Sequence, residues 1–157
     1  MSAQRGPAIA AVGEADLPDL LPLMRAYCDF YEVGPSDQDL ITLSRALIED
    51  PTREGIQFIA RGADGTAVGF ATVFWTWSTT RGQRIGVMND LFVAPEARGA
   101  GGGRIGERLI EACAERCRSH GAVSLTWQTA LDNERAQALY DRVGGERSQW
   151  LDYDLRV

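Results

Sequence analysis

The stretch IGVMNDLFVAPEARGAGGGRIG, residues 85–106, predicts a strand, an anion-binding loop and the start of a helix in direct succession. The apolar run 85–93 favours a strand, and the polar segment 94–97 ends it. The first N–H groups of a helix lack intrahelical partners and lie at the positive end of its dipole, so they bind phosphates. Glycines, which have no Cβ atom, let a pyrophosphate approach the main chain. Arg98 adds a permanently charged planar guanidinium.

Three kinds of phosphate loop compete for this stretch. A Walker-type loop needs a lysine, and all sixteen basic residues of the chain are arginines. Residues 101–106 match the dinucleotide pattern G-x-G-x-x-G, but a spacer separates them from the strand, and Trp127-Gln128 stands where the ribose-binding acid is expected. The third pattern, R-x-x-G-x-G, is matched by Arg98, Gly101 and Gly103 and is typical of coenzyme A loops.

On this match the chain resembles the GNAT superfamily of N-acetyltransferases, from about residue 56 to residue 153. A second motif of the family, N-x-x-A-x-x-L-Y, is matched by residues 133–140 in the expected order. Residues 68–93 are similar to polyamine and diamine acetyltransferases, and residues 125–144 resemble yeast histone and polyamine acetyltransferases. The resemblance implies acetyl-CoA as the cosubstrate.

The resemblance also implies a set of cofactor-binding residues. They are Leu91, Phe92, Val93, Arg98, Gly99, Ala100, Gly101, Gly102, Gly103, Arg104, Asn133 and Ala136. Main-chain N–H groups near Leu91 and Phe92 would polarise the thioester carbonyl, and loss of one such donor costs about 3 kcal/mol in other acyl-transfer enzymes. The pantetheine arm would enter a gap where residues 90–93 and 125–128 splay apart.

The acceptor amine must lose a proton before it attacks. An alkylammonium with a pKa of about 10.4 is roughly 1 part in 2,500 free base at pH 7, a penalty of about 4.6 kcal/mol. Asp90 is a candidate base, although its carboxylate could equally hold a loop by hydrogen bonds. Glu32 and Asp37 are alternatives. Many polyamine-type members carry glutamate where this chain has Asn89, which cannot take a proton.

Tyr140 falls where the family places a tyrosine that assists the departing thiolate. A free tyrosine has a pKa about 1.5 units above that of a thiol, so we expect hydrogen bonding with partial proton transfer. Core packing of the ring is the structural alternative. His120, the only histidine, is expected to be a helix-terminal residue without a catalytic role.

Length and composition fit one domain, residues 1–157, with residues 1–7 as a loose tail. The net charge of −6 without a basic stripe argues against a nucleic-acid partner and is compatible with a cationic substrate, although solubility alone would explain it. The sequence contains no apolar run of the length that a membrane-spanning segment needs, so we expect a cytoplasmic protein. Three cysteines suit a reducing compartment; Cys113 and Cys117 are expected in the core, and no metal site is predicted.

The periodicity predicts a mixed α/β (α+β) domain with the order β-α-α-β-β-β-α-β-α-β, and the resemblance implies a central splayed sheet flanked by helices. Predicted strands cover residues 9–12, 57–60, 67–77, 85–93, 122–129 and 149–155. Two helices are predicted to begin after the N-caps Asp16 and Ser36, and two more are predicted over residues 103–119 and 133–143. Trp75, Trp77 and Trp127 could line an acceptor pocket, but their alternating spacing favours packing in the core or at a dimer interface.

The main hypothesis is an N-acetyltransferase that moves the acetyl group to a small cationic primary amine by direct attack in a ternary complex. Acetylation of protein lysines or N-termini is an alternative, as is a non-catalytic coenzyme A-binding module. Homodimerisation is predicted through the last strand, around residues 150–153, because an exposed apolar edge tends to be covered.

Overall fold

Five strands form one mixed sheet in the computed structural model, which describes residues 6–99 and 104–157. The strands are β1 Ala8–Ala11, β2 Gly55–Arg61, β3 Ala67–Ser78, β4 Gln83–Val93 and β5 Leu125–Thr126, and they lie side by side in chain order. The first four are antiparallel neighbours, and β5 runs parallel to β4. Four helices flank the sheet: α1 Leu17–Phe30, α2 Asp37–Glu49, α3 Ile105–His120 and α4 Glu134–Arg142.

Each face of the sheet carries its own apolar core. Helices α1 and α2 cover one face, where Leu20 of α1 packs with Phe70 and Phe92 of the sheet. Helix α3 covers the other face through Leu109 and Cys113, which are fully buried. Cys117 and Cys28 are also buried, so the predicted core placement of the thiols is confirmed. None of the helices in the described ranges has the length and apolarity that a bilayer crossing needs.

Local sequence explains most of the element ends. The Ser36 hydroxyl accepts a hydrogen bond from the Asp39 amide at 3.1 Å and caps α2, as predicted. Gly121 ends α3 in the left-handed conformation, with φ of 84°. The Asp16 side chain does not cap α1; its carboxylate instead accepts from the Gly13 amide at 2.9 Å and pairs with Arg61.

The sheet opens between its last two strands, as the family resemblance implied. Gly86 pairs with Leu125 and Val87 with Thr126, and the β4–β5 ladder stops there. A bulge lies just beyond this point: Thr72 is opposite Asp90 and Val73 is opposite Met88, so Asn89 has no partner on β3. The remainder of β4 therefore has one free edge, which faces the opening.

The end of the chain departs from the prediction. Residues 149–155 were expected to form a closing strand, but they form no strand, and the expected strand over residues 122–129 shrinks to β5. A strand exists only when its main-chain groups have a ladder partner, and within the described chain no ladder reaches residues 127–129 or 149–155. Trp77 is likewise not in the core, since it is 68% exposed, whereas Trp75 is buried as predicted.

Candidate active site

A cleft of about 680 Å³ occupies the opening between β4 and β5. Its walls come from the C-terminal end of α1, the second half of β4, the first turn of α3, the segment after β5, and α4. Gly106 lets α4 approach α3 closely, because a Cβ atom at this position would lie 2.9 Å from Cδ2 of Leu139. Residues 98–99, just after β4, and helix α4, which carry parts of the two sequence motifs, thus line one cavity.

One end of the cleft is rich in positive charge. Arg98, Arg104, Arg135 and Arg142 line it together with a single carboxylate, Glu107. Glu107 is already paired, at 3.0 Å with Arg142 and at 3.5 Å with Arg104. Within residues 6–99 and 104–157, Arg98 and Arg135 have no carboxylate within ion-pairing distance, so their charge is available to an anion.

The Arg98 side chain is held in place by the strand that precedes it. Its Nε donates to the Val93 carbonyl oxygen at 2.7 Å, which leaves the other guanidinium nitrogens free to point into the cleft. Burial lowers the pKa of the Arg98 guanidinium, and the neighbouring positive charge of Arg135 acts in the same direction. The negative charge of a bound phosphate would offset both of these effects on the Arg98 pKa.

The glycine loop itself is only partly within the described residues. Ala100, Gly101, Gly102 and Gly103 lie outside them, and their predicted role stays a prediction. Gly99, on one side, has φ of 90°, a conformation that favours glycine. Arg104, on the other side, has φ of 55°, which is uncommon for a residue with a side chain and occurs mainly at turns and functional sites.

Tyr140 lies on the α4 wall of the cleft. Its ring meets the ring of Trp127 edge to face, with centroids 5.3 Å apart. Burial raises the pKa of the Tyr140 phenol, so the hydroxyl stays protonated at neutral pH and can donate a hydrogen bond. Asn133 and Ala136 line the same wall, and the Asn133 Oδ1 accepts from the Ala136 amide at 3.2 Å to cap α4. This cap fixes the helix that carries Tyr140.

The opposite end of the cleft is aromatic and uncharged. Tyr27 and Phe30 of α1 line it together with Tyr31, the C-cap residue of this helix, and the Tyr31 ring meets each of the other two rings edge to face at 5.0 Å. The Tyr27 hydroxyl donates to the carbonyl oxygen of Asn89, the bulge residue, at 3.3 Å. Burial raises the Tyr27 pKa, and the adjacent Asp90 carboxylate adds to this. The bulge therefore sits directly beneath the aromatic end.

Asp90 does not line the cleft; it lies just behind the wall and is 9% exposed. Its carboxylate oxygen Oδ1 accepts a hydrogen bond from the side-chain Nδ2 of Asn89 at 2.9 Å. Burial raises the Asp90 pKa, while hydrogen bonding with Thr72, Asn89 and Tyr27 counteracts part of this effect. Tyr27 thus connects the cleft to a buried carboxylate whose basicity is enhanced.

The structure brings most of the predicted site residues together. Those that line the cleft are Leu91, Phe92, Val93, Arg98, Gly99, Arg104, Asn133, Ala136 and Tyr140. The alternative bases Glu32 and Asp37 are not in the lining, and Asp37 is engaged by Arg25. His120 lies at the end of α3, as predicted, where its ring stacks on Trp75 at 4.0 Å.

Among the cleft residues that the sequence analysis did not predict are Arg135 and Tyr27, and only Arg135 left a signal in the sequence. Arg135 stands in the first turn of α4, where the helix dipole disfavours a positive charge. A positively charged residue in that position favours the interpretation of this helix start as part of an anion-binding site. Tyr27 left no comparable signal, because on the apolar stripe of α1 it looks like any other core residue.

Comparisons with known proteins agree with this geometry. Residues 20–145 match the model of the family described as "Acetyltransferase (GNAT) family". The chain is 34% identical to an uncharacterized N-acetyltransferase of Bacillus subtilis (strain 168), over 91% of this chain and 93% of that protein. It is 35% identical to a D-amino-acid N-acetyltransferase of Saccharomyces cerevisiae, over 50% of this chain and 47% of the yeast protein. The fold matches the crystal structure of a probable acetyltransferase with a TM-score of 0.80 and 23% identity, over 96% and 97% of the two chains.

Proposed function

Because the chain belongs to the GNAT acetyltransferase family and is an acetyl-CoA-dependent N-acetyltransferase, we propose that it acetylates a small primary amine by direct attack within a ternary complex. The proposal rests on one observation about the cleft. At one end lie Arg98 and Arg135, for which the described residues provide no ion-pair partner, and at the other end lies an uncharged aromatic wall. The first end suits a cofactor phosphate, and the second suits the acceptor.

The free edge of β4 supports the placement of the cofactor. Main-chain groups of Leu91, Phe92 and Val93 border the cleft without a partner from β5. Main-chain amides at this edge would form hydrogen bonds with the pantetheine arm, in the way that a sheet edge binds an additional strand. The amides near the thioester would stabilise the oxyanion. Arg98 and Arg135 would hold the pyrophosphate or the ribose phosphate.

The aromatic end supports a small amine rather than a long polyamine. A Tyr27 or Tyr31 ring attracts an alkylammonium through its π face. A second, distant ammonium group would require a carboxylate, and the one carboxylate found in the lining, Glu107, is already paired. Amino acids are the second candidate acceptors, because the yeast relative carries the name D-amino-acid N-acetyltransferase.

Asp90 would accept the proton that the acceptor loses. The Tyr27 hydroxyl would first turn from the Asn89 carbonyl oxygen to the adjacent Asp90 carboxylate. The ammonium proton then passes to the Tyr27 oxygen while the hydroxyl proton passes to Asp90, so the amine and the carboxyl group both become neutral and Tyr27 keeps its charge. The raised pKa of Asp90 favours this transfer. The freed nitrogen then attacks the thioester carbonyl carbon and the C–N bond forms. When the C–S bond breaks, the sulfur takes the Tyr140 proton and the extra proton on the nitrogen restores Tyr140, which leaves a neutral amide and the coenzyme A thiol.

Tyr140 would stabilise the departing thiolate. Since burial raises its pKa, it stays a hydrogen-bond donor and passes its proton only as negative charge builds on the sulfur. The proposal also includes the predicted cytoplasmic location, which the three free, buried cysteines support, and the predicted homodimer.

The test is thiol release from acetyl-CoA over a panel of monoamines, polyamines, D- and L-amino acids, aminoglycosides and short peptides. We expect turnover on monoamines or amino acids, with kcat lowered roughly 10²–10⁴-fold in Tyr140→Phe. Tyr153→Phe is the matched control, because Tyr153 lies outside the cleft and is 91% exposed. Turnover confined to peptides would favour the protein acetyltransferase. Acetyl-CoA binding without turnover on any acceptor would favour the binding module.

A further inference from the structure

Three buried polar side chains form a row across the middle strands of the sheet, behind the cleft. Gln57 of β2 is directly opposite Thr72 of β3, and Thr72 is directly opposite Asp90 of β4. The three residues are 2%, 0% and 9% exposed. They lie on the face that α1 covers, where the Gln57 Nε2 is 4.0 Å from the Met24 Sδ. We call these three residues the polar row.

The next row on the same face shows that packing alone does not require polar residues here. It consists of Ile59, Phe70 and Phe92, which lie two positions along the same three strands and are again opposite one another. All three are buried and apolar. A buried polar side chain is costly unless it is hydrogen-bonded, whereas an apolar one stabilises the core. The polar row therefore points to a role other than packing.

The hydrogen bonds of the polar row run in one direction. An ionised carboxylate can only accept hydrogen bonds, so the Thr72 hydroxyl donates its single hydrogen to Asp90. The Thr72 oxygen then accepts from Gln57, whose Nε2 lies 3.1 Å away. On β4 itself, the Asn89 Nδ2 donates to the Asp90 Oδ1 at 2.9 Å. The two donors hold the carboxylate from the sheet and leave its α1 side to Tyr27.

From this geometry we propose that Thr72 and Gln57 are positioning residues for acetyl transfer. Thr72 fixes the orientation of the Asp90 carboxylate, and Gln57 acts through Thr72 by fixing its hydroxyl group. The inference rests on the proposed function, in which Asp90 takes the proton of the acceptor through Tyr27.

The polar row also suits the state in which Asp90 is protonated. The carboxyl hydroxyl can then donate to Thr72, and Thr72 can donate in turn to the Gln57 Oε1. Among the described residues this oxygen has no hydrogen-bond partner, so it is available as an acceptor. Because an amide carries both a donor and an acceptor, Gln57 serves both protonation states by turning over.

The polar row has a direct consequence for the pKa of Asp90. Burial raises this pKa, and the Thr72 and Asn89 donors counteract part of the rise, because hydrogen bonds to the ionised form favour it. Tyr27 and Cys28 of α1 are the titratable neighbours of Asp90, and no charged side chain contributes to its pKa shift. Loss of the Thr72 hydroxyl should therefore raise the Asp90 pKa further.

The test follows the titration of the Asp90 carboxyl carbon by NMR in the protein without substrates, with Asp90→Asn to assign the resonance. Thr72→Val has nearly the same shape but no hydroxyl, and its Asp90 midpoint should move to higher pH. Thr72→Ser keeps the hydroxyl and should keep the wild-type midpoint. Thr76→Val is the matched control, because Thr76 is an exposed residue of the same strand, and it should also match the wild type.

Gln57→Met tests whether Gln57 acts through Thr72. Alone, it should move the Asp90 midpoint to higher pH by less than Thr72→Val does. In the Thr72→Val background it should add nothing, because the hydroxyl on which Gln57 acts is already gone. A wild-type midpoint in Thr72→Val or in Gln57→Met would overturn the proposal, as would a Gln57→Met shift that persists in both backgrounds.

Kinetics separate this inference from the proposed function. In Thr72→Val the acid limb of kcat/KM should move with the NMR midpoint, and kcat should fall by less than the roughly 10²–10⁴-fold expected when the base itself is lost. The KM for acetyl-CoA should stay unchanged, because the polar row does not line the cleft. An acid limb that stays in place would overturn the positioning role. Shifted titrations with a wild-type kcat in Asp90→Asn would instead confirm that the row orients Asp90 and show that the proposed base is wrong.

Discussion

The backbone of Gly86 lies against the thiol of Cys117: a Cβ atom on Gly86 would come within 2.6 Å of the Cys117 Sγ. Helix α3 therefore packs directly on β4, at the residue where β5 joins the sheet. The Gly86 amide also donates to the Ser124 carbonyl oxygen at 2.9 Å. This contact fixes the last paired position before the two strands separate to form the cleft.

Gly86→Ala should lower the free energy of unfolding by about 1–3 kcal/mol, because the added methyl group overpacks a closed contact. Val73 and Trp75 border the same position at 3.1 and 3.2 Å, so the methyl group cannot move sideways. Urea unfolding would measure the change. Gly34→Ala is the control, since nothing lies within 4 Å of its Cβ position, and it should leave stability nearly unchanged.

Cys117→Ala should reduce the cost of the Gly86→Ala substitution, because it removes the sulfur atom that the new methyl group meets. The double variant should therefore be more stable than the sum of the two single changes predicts, with a coupling of about 0.5–3 kcal/mol. Strict additivity in the four-variant cycle would mean that the backbone, rather than the thiol, absorbs the overlap.

Arg98→Ala should raise the KM for acetyl-CoA about 10- to 100-fold, because a hydrogen bond to a charged group is worth about 1.5–3 kcal/mol. Dissociation constants for coenzyme A should rise by the same factor and lose part of their salt dependence. The matched control is Arg118→Ala on the exposed side of α3, where the side chain forms an ion pair with Glu115. Equal dissociation constants for coenzyme A in both variants would show that Arg98 does not bind a cofactor phosphate.

The strand before the glycine loop and the helix after it could be predicted because their signals are local. An apolar run and a helical apolar stripe are each recognised within a few positions, and the same holds for the Ser36 cap and the Gly121 stop. The gap between β4 and β5 came from the family resemblance, and the short β4–β5 ladder confirms it.

The bulge at Asn89 could not be predicted, because it depends on how β4 aligns with β3 rather than on β4 alone. As a result the sequence did not show that Asp90 faces α1 behind the cleft wall. Residues 149–155 were predicted as a closing strand, but local sequence does not specify which edge a strand joins. A pairing partner is a property of the fold or of the assembly.

Asn133→Ala should weaken α4 by about 0.5–2 kcal/mol, because it removes the acceptor for the Ala136 amide. Since α4 buries none of its side chains fully, we expect faster amide exchange in its first turn and a smaller change in global unfolding. The Asn133→Asp variant keeps the cap and should restore protection. If Asn133→Asp restores protection but not the KM for acetyl-CoA, then the Asn133 amide also contacts the cofactor.

Asp90→Asn should make the protein more stable at neutral pH while it lowers kcat. Burial raises the Asp90 pKa in the folded state, so the folded protein holds a proton that the unfolded chain has released. Stability therefore falls as pH rises from the unfolded pKa of about 3.9 to the folded pKa, and the penalty stays constant above it. The asparagine carries no such penalty.

The measurement is urea unfolding of wild type and Asp90→Asn from pH 3 to pH 8. The two free energies should converge at the acid end and separate as pH rises, with the variant the more stable. Asp132→Asn, at an exposed position, is the control and should follow the wild type throughout. Loss of kcat by roughly 10²–10⁴-fold alongside the gain in stability would assign Asp90 as the base. A gain in stability with unchanged kcat would leave Asp90 a structural residue of the bulge.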